Sequence, residues 1–310
     1  MTVLGIDTSN YTTSLAVVNK GGEVLCDHRK VLDVTHGKKG LRQSEAFYQH
    51  CNNLPGLFSD LKSSKFLESV SAIAVSKTPR NIEGSYMPVF TAGVNMASIL
   101  ADALSLPIYN CSHQEGHIYA GMVPNGLEAP FITLHLSGGT TDLLKVEAEN
   151  DYRLKVEQLG TSSDLHCGQF VDRVGVKLGL KFPCGQEMEK MALQSNNPQK
   201  GLIPSSVSGG DVSFSGPLTK ALNLLEQGVP PEELSFNVFN TIAKTAEKMI
   251  RFGVSQTDTK EVLLVGGVAS NKQIRNWLSN RLKLNIHFAT PKLSRDNAVG
   301  VALMGLKALK

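Results

Sequence analysis

The feature that most constrains the fold of this chain is a strand-and-turn pattern that occurs twice. Each copy holds three apolar strands, and a short turn of small polar residues joins the first two. The strands are Val3–Ile6, Ser14–Val18 and Glu23–His28 in the first copy, and Phe131–Leu136, Asp142–Val146 and Arg153–Gln158 in the second. Because tight turns of small residues favour hairpins, each copy predicts a three-stranded meander.

A helical segment and then a lone apolar strand follow each copy. These are Glu45–Leu61 and Val70–Val75 in the first half, and Glu232–Phe252 and Val262–Val265 in the second. Strands that alternate with helices are typical of α/β layers with mixed sheets. The sequence therefore predicts two duplicated, ribonuclease-H-like α/β lobes that face each other across a cleft, which is the actin-like ATPase (ASKHA) fold. The alternative is an unrelated pair of α/β domains that share only their hairpins.

The repeat also predicts the domain boundaries. We expect an N-terminal lobe of residues 1–128 plus 295–310 and a C-terminal lobe of residues 129–294. A segment rich in Gly, Pro and Ser, about 165–217, is predicted to be an insertion in the second lobe that carries short helices rather than strands.

Composition narrows the class of protein. No apolar stretch reaches the roughly 20 residues that a bilayer span needs, and the N-terminus lacks the basic and apolar pattern of a secretion signal. We therefore expect a cytoplasmic location without membrane contact. The five cysteines form no C-x-x-C pair, which argues against disulfides and a cysteine-rich zinc site. A net charge of +3 permits contact with RNA but does not require it.

Two histidines four residues apart are the first candidate site. On a helix, His113 and His117 would lie on one face, close enough to bind one metal ion. The metalloprotease motif H-E-x-x-H requires glutamate directly after the first histidine, where this chain has Gln114 and places Glu115 one residue later. The spacing alone leaves open a structural or merely exposed histidine pair.

Two glycine-rich segments are the second candidate site. Leu136–Thr141 joins two strands, and Val265–Asn271 ends a strand and opens a helix. Glycines let the backbone approach a ligand closely, and a helix N-terminus offers free N–H groups to phosphate. Either segment alone could be a plain turn, but their equivalent places in a repeated lobe favour phosphate binding.

The segment Ser294–Ala298 opens the final helix. Ser294 or Asp296 is a good N-cap, which is the simplest interpretation. The alternative is that Asp296 is a third metal ligand, since two histidines and a carboxylate leave coordination positions open for substrate. In that case Asp296 must meet His113 and His117 in the crevice between the lobes.

Together these segments resemble the TsaD/Gcp family, the tRNA N6-adenosine threonylcarbamoyltransferases. The resemblance covers almost the whole chain and keeps the family's motif order. The matching motifs are Gly5–Ser9, His113-x-x-x-His117, Ser137-Gly138-Gly139, Gly168-x-x-x-Asp172-Arg173, Pro183-Cys184-Gly185, Ser213–Gly216, Gly266–Asn271 and Asp296-Asn297.

The resemblance implies a ligand set. His113, His117 and Asp296 would hold one divalent metal ion, iron or zinc, which would polarise the carbamoyl carbonyl while the adenine amine expels AMP. It assigns no catalytic side chain beyond these ligands. The residues implied for an adenine nucleotide or threonylcarbamoyl-adenylate are His135, Leu136, Ser137, Gly138, Gly139, Asp172, Gly185, Glu187, Gly266, Gly267 and Asn271. The implied partners are tRNA, a related actin-like subunit and a small ATPase, and a homodimer is also considered.

The chain departs from the family's pattern at three places. The turn after Asp7-Thr8-Ser9 reads Asn10–Thr13 and lacks two acidic residues, and Thr140 replaces a histidine. The loop Lys77–Met87 keeps only its proline and the Gly84-Ser85 step of the family's glycine-rich loop. Because the metal ligands remain, the pattern predicts a divergent paralogue. It leaves open a different acceptor for a carbamoyl- or acyl-adenylate, or a non-catalytic nucleotide-binding partner subunit.

Overall fold

The computed structural model describes residues 1–9, 11–34, 41–64, 66–196 and 198–310. The chain divides into two compact units. Unit 1 holds residues 1–128, 148–155 and 292–310, and unit 2 holds residues 129–147 and 156–291. Asn10, one of the positions that departs from the family's pattern, lies outside the described residues.

The described strands and helices include the strands and the two long helices that the repeat predicts. The strands are β1 (Thr2–Asp7), β2 (Thr12–Asn19), β3 (Val24–Val31), β4 (Val70–Thr78), β5 (Ile108–Ser112), β6 (Phe131–Leu136), β7 (Thr141–Ala148), β8 (Leu154–Thr161), β9 (Ser206–Ser208), β10 (Asp211–Ser213), β11 (Glu261–Val265) and β12 (Asn285–Phe288). The α-helices are α1 (Gln43–Ser63), α2 (Phe90–Leu104), α3 (His113–Met122), α4 (Cys167–Lys177), α5 (Gly185–Ala192), α6 (Ser215–Glu226), α7 (Pro231–Ser255), α8 (Lys272–Arg281) and α9 (Val299–Ala308). Short 3₁₀ helices span Phe66–Ser69, Val123–Asn125 and Val268–Ser270. None of the helices in the described ranges has the length and apolar character of a bilayer span.

The sheet of unit 1 has the order β3-β2-β1-β4-β5. Strands β1, β2 and β3 pair antiparallel, which confirms the first predicted meander, and β4 and β5 continue the sheet in parallel. On one face, Leu4 and Ile6 pack in a core with residues of α1 and α2. On the other face α9 lies directly on the sheet. A Cβ at Gly5 would stand only 2.4 Å from the carbonyl oxygen of Ala298. This close approach brings the segment before α9 to the carboxyl end of β1.

The sheet of unit 2 has the order β12-β11-β6-β7-β8, the same arrangement as in unit 1. Strand β6 pairs antiparallel with β7 and parallel with β11, which in turn pairs parallel with β12. Residues Ile132, Leu134 and Leu136 of β6 share one core with buried residues of α4 to α8. The twofold repeat read from the sequence is therefore present in the strand order of both sheets.

Two details differ from the sequence predictions. The segment 165–217 contains helices α4 and α5, but it also forms the antiparallel hairpin β9–β10, so the prediction of helices without strands is wrong. The final helix begins at Val299, and neither Ser294 nor Asp296 caps it. Instead the side-chain oxygen of Asn297 accepts hydrogen bonds from the backbone N–H groups of Val299 and Gly300.

Candidate active site

The structure brings His113, His117 and Asp296 together within unit 1. The Nε2 atoms of the two histidines lie 3.1 Å apart. The Oδ1 atom of Asp296 is 3.3 Å from Nε2 of His117 and 3.6 Å from Nε2 of His113. The two histidines occupy the first and fifth positions of α3 and so share one face of that helix.

These distances fit three ligands of one metal ion. Zinc bonds to histidine nitrogen and carboxylate oxygen are about 2.0–2.2 Å long, and a tetrahedral angle between two such bonds separates the ligand atoms by about 3.3 Å. Two histidines and one carboxylate on one side of an ion also form the usual ligand set of non-haem iron, with further positions open. The geometry therefore suits zinc and iron alike.

Asp7 at the end of β1 holds His113 from the opposite side of its ring. Oδ2 of Asp7 lies 3.3 Å from Nδ1 of His113. The same carboxylate accepts hydrogen bonds from the hydroxyl groups of Ser9, at 2.6 Å, and of Ser76. A histidine that donates its Nδ1–H group to a carboxylate turns its Nε2 lone pair toward a metal, as is usual around metal sites. Asp7 is completely buried, so this orientation is well fixed.

The charges around the histidines favour a cation. Burial lowers the pKa of His113, but the Asp7 and Asp296 carboxylates outweigh it and raise this pKa to about 10. Burial raises the pKa of Asp296, yet the hydrogen bonds from His113 and His117 hold it well below its usual range. Two carboxylates therefore converge on this cluster, and a positive charge, on the imidazole or on a bound metal ion, stabilises them.

Helix α3 begins at His113 because its first turn is capped. Ser112 accepts a hydrogen bond from the backbone N–H group of Glu115, and Glu115 in turn accepts one from the backbone of Ser112, which is a capping box. Glu115 is fully buried, and both of its oxygens bind the Arg153 guanidinium, at 2.9 and 3.2 Å. Helix capping and an internal ion pair therefore explain why glutamate stands two residues after His113.

Close packing of α3 on α9 sets the distance between the histidines and Asp296. A Cβ atom at Gly300 would stand 1.7 Å from the carbonyl oxygen of Gly116, between the two histidines. At Gly116 a Cβ would stand 3.1 Å from a methyl group of Val301. Only glycine at position 300 allows the two helices to approach this closely.

The segment that carries Asp296 is held by an arginine from β3. The guanidinium of Arg29 donates hydrogen bonds to the carbonyl oxygens of Lys292, at 3.0 Å, and Asp296, at 3.3 Å. Two further hydrogen bonds of 2.7 Å join it to the carboxylate of Asp27. Asp27 therefore orients Arg29, and Arg29 fixes the backbone of the candidate ligand Asp296.

In unit 2 the loop Ser137–Thr140 lies against the N-terminal end of α4. The Gly168 N–H group donates to the carbonyl oxygen of Ser137 at 3.1 Å, and a Cβ at Gly168 would stand 2.6 Å from the Cα of Gly138. Gly138 and Gly139 are exposed, with open space where a Cβ would be. An accessible backbone near the positive end of a helix is suited to an anion.

The second glycine segment touches the end of β6. Gly266 has φ +95° and would, with a Cβ, approach the carbonyl oxygen of Leu136 to 2.3 Å and Cδ2 of His135 to 2.9 Å. A residue with a side chain is excluded by both the backbone angle and the contact. The residues His135, Leu136 and Gly266 predicted for the nucleotide are therefore neighbours, and Gly267 follows directly.

Asp172 connects α4 to the start of α5. Its Oδ1 atom accepts a 2.7 Å hydrogen bond from the backbone N–H group of Cys184, which precedes Gly185. Burial raises the pKa of Asp172, and the hydrogen bond from Cys184 offsets only part of this. Glu187, in the first turn of α5, is exposed and pairs with Lys190 at 3.1 Å. The structure thus gives Asp172 an internal partner and leaves Glu187 on the surface.

Asn271 lies at the start of α8, where its Oδ1 atom accepts a hydrogen bond from the N–H group of Ile274 at 3.1 Å. Its side-chain Nδ2 atom is buried and has no hydrogen-bond partner among the described residues. Such a donor is costly to bury unless a ligand uses it. The next residue, Lys272, donates its N–H group to Glu189 of α5 at 2.7 Å, so the beginnings of α5 and α8 are linked.

The segments that depart from the family's pattern keep structural contacts. The Pro79 carbonyl accepts a hydrogen bond from the N–H group of Gln114 at 3.1 Å, next to the candidate ligand His113. The Ser85 hydroxyl accepts one from the N–H group of Arg80 at 3.0 Å. Thr140 accepts the Ser137 N–H group through its backbone, which any residue could do. The retained positions of the loop are therefore those that shape it.

Sequence reasoning assigned no role to three residues around the candidate metal ligands, namely Asp7, Arg29 and Asn297. Asp7 and Asn297 stand in the matching motifs without an assigned role, and Arg29 lies 267 residues from its partner Asp296. The capping box was visible as Ser112-x-x-Glu115 and could have explained Glu115.

Comparison with known proteins identifies the family. The family model for TsaD, the tRNA N6-adenosine threonylcarbamoyltransferases, matches residues 31–303. The chain is 33% identical to a tRNA N6-adenosine threonylcarbamoyltransferase of Thermus thermophilus, over 98% of this chain and 91% of that protein. It is 29% identical to a probable bifunctional tRNA threonylcarbamoyladenosine biosynthesis protein of Methanothermobacter thermautotrophicus. That match covers 98% of this chain and 55% of that protein.

Among solved structures, the activator of 2-hydroxyisocaproyl-CoA dehydratase from Clostridium difficile superimposes with a TM-score of 0.57. That comparison covers 99% of this chain and 95% of the activator at 16% identity, and it confirms the actin-like ATPase fold. The part of the chain that the family model matches includes the histidine pair, the glycine loops and Asp296. The chain therefore belongs to the tRNA N6-adenosine threonylcarbamoyltransferase family, a family of acyltransferases.

Proposed function

We propose that this chain transfers a threonylcarbamoyl group from threonylcarbamoyl-adenylate to the N6 amine of the tRNA adenosine next to the anticodon. One divalent metal ion, iron or zinc, would be held by His113, His117 and Asp296. The observation that carries the proposal is the cluster of these three ligand atoms, 3.1 to 3.6 Å apart, in a member of this family. When bound, the ion would supply Lewis acidity to the carbamoyl carbonyl.

The chain's own residues would prepare this chemistry in both units. In unit 1, Asp7 keeps His113 in the orientation that binds metal, and Arg29 keeps the backbone of Asp296 in place. In unit 2, the exposed loop glycines at the N-terminal end of α4 would bind the phosphate of the adenylate. The unpartnered Nδ2 group of Asn271 would donate a hydrogen bond to the nucleotide.

The transfer balances as an acyl substitution. A bond forms between N6 of adenosine and the carbamoyl carbon, and the bond from that carbon to the phosphate oxygen breaks. AMP leaves with the electron pair, and the amine loses one proton. Backbone N–H groups near the phosphate would stabilise the negative charge that develops on AMP.

A reconstituted reaction tests the proposal. The metal-loaded chain, threonylcarbamoyl-adenylate, unmodified tRNA and the partner proteins are incubated, and the nucleosides are quantified by mass spectrometry. We expect modified adenosine with the unaltered chain, none with His113→Ala, and normal amounts with the control His287→Ala, which removes a histidine paired with Glu261 in unit 2. The proposal fails if the unaltered chain gives no product.

A second candidate is transfer from a carbamoyl- or acyl-adenylate to another acceptor. Thr140 in place of the family's histidine and the altered loop Lys77–Met87 favour it. Tight adenylate binding together with a lack of tRNA affinity would support this candidate. A non-catalytic partner subunit is the third, and one bound metal per chain whose loss in His113→Ala abolishes activity would exclude it.

The proposed partners are tRNA, a related actin-like subunit and a small ATPase, in the cytoplasm. Light scattering of the chain alone and of mixtures with the two proteins would separate these assemblies from a homodimer.

A further inference from the structure

An exposed basic and apolar surface lies at the end of α4, in unit 2. We call it the α4–α5 corner, and its members are Arg173, Val176, Lys177, Lys181 and Phe182. The exposed fraction of Phe182 is 75%, higher than that of any other large apolar side chain in the described residues. The chemistry proposed above uses none of these side chains.

Hydrogen bonds anchor the backbone of the corner on both sides. Helix α4 ends in a Schellman motif, in which the N–H group of Leu180 donates to the Gly175 carbonyl and that of Gly179 donates to the Val176 carbonyl, both at 3.0 Å. Gly179 has φ +83°, as this motif requires. A few residues later the Cys184 N–H group is bound by Asp172. Lys181 and Phe182 therefore project from a short loop that is anchored on both sides.

The charge of the corner is uniformly positive. Residues 173–182 include Arg173, Lys177 and Lys181 and no acidic residue. Arg173 and Lys177 are four residues apart on α4 and so share one face of the helix. On the following helix the exposed carboxylate of Glu187 is already paired with Lys190.

We propose that the α4–α5 corner binds the tRNA substrate in a single-stranded region, an inference that rests on the proposed function. The three basic side chains would contact phosphates, and Phe182 would stack on an unpaired base. Positive charge interleaved with an exposed aromatic ring is the arrangement that single-stranded nucleic acid favours. Asp172 and Gly185, proposed above for the adenylate, flank this segment, so the corner would hold RNA beside the donor.

Titration of a fluorescent, unmodified tRNA transcript at several salt concentrations tests this surface. Phe182→Ala should weaken binding about five- to a hundredfold, Phe182→Leu should weaken it similarly because leucine lacks a π face, and Phe182→Tyr should retain it. Lys177→Gln/Lys181→Gln should reduce the slope of log affinity against log salt by about 1.4 to 1.8. The matched control is Lys260→Gln/Lys283→Gln. It removes the same charge just before β11 and β12, at the end of the sheet opposite to the end that carries Gly266.

Adenylate binding and nucleoside formation are measured on the same proteins. The proposed RNA-binding role of the corner is overturned if the unaltered chain binds no tRNA, or if the corner variants bind tRNA like the unaltered chain. It is also overturned if the corner variants lose only the binding of a protein partner. Loss of tRNA affinity in the corner variants of a chain that forms no modified nucleoside would support the surface and refute the proposed function. Product formation together with unchanged tRNA affinity in every variant would support the proposed function and refute the RNA-binding role of the corner.

Discussion

Gly300→Ala separates the two halves of the proposed metal site without altering a ligand. The new Cβ would stand 1.7 Å from the carbonyl oxygen of Gly116, whereas such atoms essentially never approach within 3.0 Å. Because backbone is on both sides, α9 must move away from α3 by more than about 1 Å. The distance from Asp296 to His117, now 3.3 Å, would then grow toward about 4.5 Å, beyond the span of one tetrahedral ion.

We expect Gly300→Ala to lower the metal content of the purified chain to a small fraction of that of the unaltered protein. Overpacking of this kind costs about 1–3 kcal/mol, which lowers Tm by about 2–4 °C for each kcal/mol. Gly116→Ala, which meets a side-chain methyl group at 3.1 Å, should be milder. The control is Gly56→Ala in α1, where the new Cβ meets nothing within 4 Å.

Elemental analysis and thermal unfolding of the three variants provide the assay. The reasoning is refuted if Gly300→Ala binds metal at the level of Gly56→Ala and melts at the same temperature.

Three further predictions concern Asp7, Arg153 and Asp164. Asp7→Asn should weaken metal affinity about 10- to 100-fold in a chelator competition, with an unchanged circular dichroism spectrum. Arg153→Met leaves the buried Glu115 carboxylate without its ion pair and should lower the free energy of unfolding by about 3–5 kcal/mol in urea, whereas Arg153→Met/Glu115→Gln should recover part of it. Burial raises the pKa of Asp164, but its hydrogen bonds lower this pKa by a larger amount, with the Ser213 hydroxyl as the main donor. The net pKa of Asp164 is therefore below the usual value. The stability advantage over Asp164→Asn should therefore be full at pH 7 and shrink as the pH falls below about 4, as urea unfolding at several pH values would show.

The fold was predictable because its signals are local. Apolar strands joined by tight turns of small polar residues predict both meanders, and the helical spacing of Glu45–Leu61 and Glu232–Phe252 lies within α1 and α7. The hairpin β9–β10 was missed because its strands are three residues long and carry little apolar pattern.

The start of the final helix could not be predicted from the sequence. Ser294, Asp296 and Asn297 are all good N-cap residues, so propensity does not choose among them. The choice follows from tertiary packing, because Gly300 must meet Gly116 and the helix therefore begins at Val299. Asn297 is then in the position to cap it.

The candidate metal ligands were named from residue type and spacing, but their supports were not. Asp7 and Ser76 are 69 residues apart in sequence and Arg29 is still farther from Asp296. Such pairs leave no periodic signal in a single sequence. They become visible only once β4 pairs with β1 and α9 lies on the sheet.

The most direct measurement of the central claim is the metal content of the purified chain by elemental analysis after dialysis, beside that of Asp296→Ala. The account predicts close to one iron or zinc ion per unaltered chain and a large loss in the variant. An unaltered chain that binds neither metal when either is supplied, or a variant that retains the full amount, would contradict it.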